Sequence, residues 1–117
     1  MPWHSWFTRN WAETDDPDDP SLVSIIIPLP LAQALVHVEN AICRLPRWEV
    51  VSTDAQTATI HATRGTRLFR FIDDVTIRLE PTADGTRIHA RSQSRIGAAD
   101  LGQNRRNLRE LLGFLSP

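Results

Sequence analysis

The sequence predicts an α+β fold, a single antiparallel sheet of about five strands with two helices on one of its faces. Apolar residues recur at helical spacing in two segments, and between these segments they alternate with polar residues at every second position. With 117 residues, the chain is long enough for one compact domain and too short for two joined by a linker. The predicted order of elements is strand, helix, four strands and helix.

Proline marks the bounds of the first strand and the first helix. Residues 21–27 are apolar and β-branched and lie between two prolines, which is typical of a short strand. Apolar residues then recur at helical spacing over residues 31–45. Pro30 fits the first turn of this helix, where a missing N–H costs nothing, and Pro46 ends it.

Two hairpins and a final helix complete the domain. Asp84 and Gly85 are a strong signal for a tight turn between the two longer strands. Asp100 is expected to cap the last helix, with Gln103 completing a capping-box-like pattern. The apolar sides of the two helices are buried most simply if both helices pack on one face of the sheet, as in helix-grip or TBP-like folds. The four alternating segments predict strands over residues 48–53, 57–63, 68–80 and 86–96.

Residues 1–20 are expected to form a Trp-rich and acidic arm or short helix, and residues 21–117 the single α+β domain. Trp3, Trp6, Phe7 and Trp11 would form one aromatic stripe on a helix. We favour docking on the domain's own core, or a loose terminus, over a membrane or partner anchor, because no arginine-rich polar face accompanies the stripe. The acidic, proline-containing run that follows predicts a solvated tether.

Composition excludes several classes of protein. All 13 cationic side chains are arginine and the net charge is -1, with the acids concentrated at the N-terminus, so a nucleic-acid footprint over the whole protein is not supported. Cys43 is the single cysteine, which excludes a disulfide scaffold, and its apolar neighbours predict a small core residue. No signal peptide or apolar run of about 20 residues is visible, so a cytoplasmic location is expected.

The second hairpin determines which side chains share a face. Pairing about Asp84 and Gly85 places Asp73 on the helix-covered face, where an ionised carboxylate needs a partner. The candidate partners are Arg105, Asn104 and the hydroxyls of Ser92 and Ser94. The same pairing places Asp74 opposite Arg95 and Arg78 opposite Arg91 on the other face, and it gives Phe69, Phe71, Val75, Ile77 and Leu79 the parity of the core.

Catalytic and metal-binding motifs are absent from the sequence. Asp73 and Asp74 are adjacent in a strand and point to opposite faces, which argues against a catalytic carboxylate pair. The histidines lack metal-ligand spacing, and no nucleophile elbow or glycine-rich phosphate loop occurs. We therefore expect neither a metal nor a cofactor. Phe69 and Phe71, with core parity, cannot stack on bases, so nucleic-acid binding is not favoured.

The segment FRFIDDVTIRLE, residues 69–80, is followed by RSQSRIGAADLGQNRRN, residues 91–107. Together with the upstream LPRW and IHATR, these segments resemble the signature of a bacterial and plastid family, domain of unknown function 1499. The N-terminus departs from the cysteine-containing segment of many members. The resemblance covers roughly residues 24–115 and implies no established activity. Its signature falls on Asp73, Asp74, Arg91, Ser92, Ser94, Arg95, Gly97, Asp100, Leu101, Gly102, Asn104 and Arg105.

Two interpretations of this polar cluster remain open. In the first, Asp73, Asp74, Asp100 and the signature serines, arginines and Asn104 form a structural network, and the protein is a non-enzymatic binding or interaction module. In the second, Arg91, Arg95 and Arg105 bind a small anionic ligand or take part in an enzyme site with the aspartates. We favour the first, because every charged group has a candidate internal partner. The open sheet face would then display Thr59, His61, Arg70, Arg78, His89, Arg91 and Arg95.

Overall fold

The computed structural model describes residues 9–66, 71–95 and 102–116. Trp3, Trp6, Phe7, Phe69, Arg70 and Asp100 lie outside these described residues. The elements follow one another as β1 (Trp11–Glu13), β2 (Ile25–Ile27), α1 (Leu31–Arg44), β3 (Trp48–Asp54), β4 (Thr59–Gly65), β5 (Ile72–Thr82), β6 (Gly85–Ser94) and α2 (Gln103–Leu115).

The described strands form one antiparallel sheet in the order β1-β6-β5-β4-β3, and β2 also pairs with β6. Strand β1 lies opposite residues 91–93 of β6 and β2 lies opposite residues 86–88, so the two short strands share one edge of the sheet. The strand that the sequence did not predict is β1, which lies within the segment assigned to the N-terminal arm. With three residues it is too short to show a periodicity, and it depends on β6 for its hydrogen bonds.

Both helices cover the same face of the sheet, as predicted. The buried residues of α1 include Leu35, Val38 and Ile42, and those of α2 include Leu108 and Leu111. They pack on the inward side chains of the central strands, and each large aliphatic side chain that leaves water contributes about 1.5–3 kcal/mol. The fully buried sheet residues of this core include Ile60, Val75, Ile77 and Ile88. The predicted α+β class with a single antiparallel sheet is confirmed.

The β5–β6 hairpin turns at Ala83 and Asp84, because Thr82 already pairs with Gly85. A side chain at Gly85 would place its Cβ 2.1 Å from the carbonyl oxygen of Ile27, and Gly85 has a φ of 142°. Strand β2 therefore approaches β6 closely only because this position is glycine. The turn lies one residue earlier than predicted, so every cross-strand partner shifts by two residues and each side chain keeps its predicted face.

Three expectations about single residues are wrong. Phe71 is 45% exposed, because β5 begins at the next residue, Ile72, and the alternation of inward and outward side chains in this strand does not include Phe71. Cys43 is exposed on α1, since one helical step of about 100° turns it away from the apolar stripe that ends at Ile42. The N-cap of α2 is Gly102, with a φ of 84°, rather than Asp100.

Among the described residues, no helix combines the length and apolar character needed to cross a bilayer.

Candidate functional site

A buried polar network joins β5, β6 and α2 beneath the helix-covered face. Asp73 is 2% exposed and Asn107 is fully buried. The Nδ2 of Asn107 donates to Asp73 Oδ2 at 2.7 Å and to Ser92 Oγ at 3.2 Å, while its Oδ1 accepts from Gln103 Nε2 at 2.7 Å. A described side chain that donates to Asp73 is thus that of Asn107, which was not among the predicted partners Arg105, Asn104, Ser92 and Ser94.

Asn104 extends the same network toward the start of β1. Ser92 Oγ donates to Asn104 Oδ1 at 2.6 Å. The Nδ2 of Asn104 donates to Ser94 Oγ at 2.8 Å and to the backbone carbonyl of Asn10 at 2.9 Å. Because Ser92 accepts from Asn107 while it donates to Asn104, the two asparagines of α2 are linked through one hydroxyl group. The described residues contain no buried side-chain polar atom without a partner.

Arg105 lies in a separate contact with the segment between β1 and β2. Its Nε donates to Asp19 Oδ2 at 3.2 Å and its Nη2 donates to Ser21 Oγ at 2.9 Å. Ser21 Oγ in turn donates to Asp19 Oδ1 at 2.6 Å. Asp19 is 2% exposed, so this part of the predicted solvated tether packs on the domain. Arg105 therefore ties α2 to the N-terminal segment.

Arg64 is a further buried charge on the helix-covered face, and it is not among the predicted site residues. It lies opposite Asp73 on β5 and opposite Trp48 on β3. Its Nε lies 3.4 Å from Glu110 Oε1, the oxygen that also accepts from the indole Nε1 of Trp48. The alternation of β4 could have identified Arg64, because it shares the parity of Ile60 and Ala62.

The open face of the sheet carries an exposed ion pair at one end. Arg95 donates from Nε to Asp74 Oδ2 at 3.0 Å and from Nη2 to Asp74 Oδ1 at 2.9 Å. These hydrogen bonds raise the pKa of Arg95 above its usual value. The two side chains meet as predicted, although Asp74 lies opposite Gln93 in the ladder.

The same open face contains a groove of about 480 Å³ that crosses β4, β5, β6 and the end of β1. Its cations are Arg78 and Arg91, and its hydroxyl groups include those of Thr59 and Thr76. The predicted opposition of Arg78 and Arg91 is wrong, because the earlier turn places His89 opposite Arg78 and Thr76 opposite Arg91. The two arginines are diagonal neighbours on adjacent strands.

Arg91 is partly held by neighbouring side chains at the β1 end of the groove. Its guanidinium carbon lies 4.6 Å from the ring centroid of Trp11, and its Nη2 donates to Gln93 Oε1 at 3.3 Å. Glu13 Oε2 is 3.9 Å from Arg91 Nη1. Trp11 therefore lies in a strand on the open face and contacts arginine, and it is not part of a helical aromatic stripe.

His89 lies between two carboxylates. Its Nδ1 is 3.6 Å from Asp15 Oδ2 and its Nε2 is 3.3 Å from Glu80 Oε1. Burial raises the pKa of Asp15. The hydrogen bonds from Ser24, together with the electrostatic interaction with the nearby His89, outweigh the effect of burial, so the pKa is lowered overall. Asp15 therefore remains ionised at neutral pH at this end of the groove.

Arg78 differs from the other charged residues of the groove. It is exposed near the centre of the sheet, and the described residues provide it with no hydrogen bond or ion pair. Thr59 lies directly opposite it on β4. Within the described part of the chain, Arg78 is thus a groove guanidinium without a partner, next to the Thr59 hydroxyl, which donates to the backbone carbonyl of Thr57 at 3.2 Å.

The structure separates the predicted site residues into three groups. Asp73, Ser92, Ser94 and Asn104 belong to the buried network, and Arg105 lies near it in the contact with Asp19. Asp74 and Arg95 form the exposed pair, Arg91 lines the groove, and Asp100 lies outside the described residues. No group of three or more histidine, cysteine, aspartate or glutamate side chains suited to a metal ion occurs in the described part of the chain.

These features define a small α+β domain, in which one sheet face is covered by two helices and the other carries a charged groove. The chain belongs to the family described as "Protein of unknown function (DUF1499)", which matches residues 9–115. The match includes every described strand and helix, β1 among them. A search of curated proteins finds no matching relative.

Proposed function

We propose that this chain is a non-enzymatic binding domain, and that its groove holds the carboxylate or phosphate group of a small ligand. The observation that carries the proposal is the guanidinium of Arg78 in the groove, which has no hydrogen bond or ion pair with any residue that the structure describes. A guanidinium presents planar, paired N–H donors that match the oxygens of a carboxylate or phosphate, and such charge-assisted hydrogen bonds are about twice as strong as neutral ones.

The groove provides further donors and adequate space around Arg78. The hydroxyl of Thr76 lies on the same face, and Arg91 adds a second cation on the neighbouring strand. The volume of about 480 Å³ lies within the roughly 300–1,000 Å³ typical of small-molecule sites. Binding is favoured over catalysis because both ring nitrogens of His89, the groove's candidate base, face carboxylates.

The remaining signature residues are proposed to act in folding. Asp73, Ser92 and Asn104 are buried and hydrogen-bonded beneath the helices, and the half-buried Ser94 accepts from Asn104. Arg105 is engaged with a nearly buried carboxylate. Their contacts support a structural network that holds α2 and the N-terminal segment against the sheet, while Arg91 and Arg78 face the solvent in the groove.

The test is a titration of the ¹⁵N-labelled protein with sodium acetate and with inorganic phosphate, at constant ionic strength and pH 7. Chemical-shift changes are expected to cluster around Arg78 and its strand neighbours. Arg78→Gln should weaken the response at least fivefold, whereas Arg109→Gln, which removes an exposed arginine from α2, should leave it unchanged. A response that is absent, or that is the same in both variants, would overturn the proposal.

A further inference from the structure

We infer that the ligand of this groove is dipolar, with an ammonium group in addition to its carboxylate or phosphate. This inference rests on the proposed binding function and adds the second charge. Among the described residues, the groove has the lone cation Arg78 near the middle of the sheet, whereas at its β1 end the two carboxylates of Glu13 and Asp15 outnumber the one guanidinium, that of Arg91. A ligand that complements the whole groove therefore carries both charges.

The two carboxylates at the β1 end retain the capacity to bind a cation. The side chains of Glu13 and Asp15 are 49% and 44% exposed. Their nearest basic neighbours, Arg91 and His89, are at 3.9 Å and 3.6 Å, which is beyond hydrogen-bond distance. Asp15 Oδ1 accepts from the backbone N–H of Ser24 at 3.0 Å, which leaves Oδ2 facing the groove side chain His89. An ammonium group placed between them would make the short contacts that these long pairs lack.

The register of the sheet gives the spacing of the two charges. Asp15 contacts His89, and His89 lies directly opposite Arg78 on the adjacent strand. The acidic and basic positions are thus about two strand spacings apart, or roughly 10 Å between backbones. Because Asp15 and Arg78 both line the groove, the complementary ligand has its charges separated by several bonds, as in a short peptide or an ω-amino acid.

Ligands with a single charge fit the groove less well. Glu13 and Asp15 repel a simple anion, and Arg78 repels a simple cation. The charges of Glu13, Asp15, Arg78 and Arg91 sum to zero, so a dipolar ligand gains at both ends without meeting an excess of one sign among these four side chains.

The experiment compares 6-aminohexanoate with hexanoate, hexylamine and glycine, by the same titration of the ¹⁵N-labelled protein at pH 7. We expect 6-aminohexanoate to bind about two- to fivefold more tightly than hexanoate, because this ratio of affinities corresponds to the free energy that an exposed ion pair contributes. Glycine has both charges but too short a span, so it should bind no better than hexanoate. The response to 6-aminohexanoate should extend from Arg78 to Glu13.

The double variant Glu13→Gln, Asp15→Asn removes the acidic end of the groove. Asparagine can replace Asp15 with little strain, because this residue has a φ of 60° and asparagine tolerates that region. The double variant should bind 6-aminohexanoate and hexanoate equally. Glu49→Gln, an exposed acid on β3, is the matched control and should preserve the preference.

The two proposals fail in different ways. If neither hexanoate nor 6-aminohexanoate binds in an Arg78-dependent manner, the proposed function itself is wrong. If both bind equally to the wild-type protein, or if the double variant keeps the preference, the groove recognises only the anionic group and the dipolar ligand is refuted.

Discussion

Replacement of Asn107 by alanine should lower the free energy of unfolding by about 2–4 kcal/mol. Its Nδ2 donates one hydrogen bond to the carboxylate of Asp73 and one to the hydroxyl of Ser92. A hydrogen bond to a charged group contributes about 1.5–3 kcal/mol and one between neutral groups about 0.5–1.5 kcal/mol. The site is fully buried, so water cannot readily replace the lost donor.

The measurement is urea-induced unfolding followed by circular dichroism, with the m-value compared between variants. Asn40→Ala, on the exposed side of α1, is the matched control because it makes the same change in helix propensity without touching the network. The control should lie within about 0.5 kcal/mol of the wild type. If Asn107→Ala unfolds at the same urea concentration as Asn40→Ala with an unchanged m-value, the network does not stabilise the fold as argued.

Three further changes test other parts of the structure. Gly85→Ala should destabilise the protein by more than about 1 kcal/mol, because its Cβ would meet a β2 carbonyl oxygen at 2.1 Å, whereas Gly113→Ala, with open space around it in α2, should be neutral or stabilising in the same urea titration. Arg95→Ala should leave the thermal midpoint nearly unchanged because its ion pair is exposed; loss of folding would show that its face is misassigned. The folded-state pKa values of Asp15 and Asp16 are lowered from 3.8, so their contribution is complete above about pH 4 and is lost as the pH falls through the folded-state values. The double variant Asp15→Asn, Asp16→Asn should therefore lose less stability than the wild type between pH 5 and about pH 2 in acid titrations; an identical loss would contradict the assignment.

Asp73 shows which properties of the buried network can be predicted from the sequence and which cannot. Alternation along β5 predicts that its side chain points beneath the helices, and it is 2% exposed there. Its hydrogen-bond partner depends on the rotation of α2 about its axis. Arg105 and Asn107 are two residues apart and project about 200° apart on a helix, so a correct helix assignment still leaves the partner open.

The N-terminal segment shows a different limit. Prolines and clustered acids over residues 15–20 indicate solvent exposure, yet Asp19 is nearly buried against Arg105. Nothing in the local pattern marks this residue, because its burial results from a contact with a helix 86 positions away in the chain. Strand β1, which precedes this segment, also cannot be predicted from the sequence, because three residues are too few to show a periodicity.

The sequence by itself determined the class of fold, the order of helices and strands after residue 20, and the face on which most strand side chains lie. These properties follow from local periodicity and turn chemistry, which act over a few neighbouring residues. The tertiary structure decided the partners of the buried charges and the existence of the groove. Both depend on side chains brought together from β1, β4, β5, β6 and α2, and no pattern along the chain records how those elements are rotated and aligned.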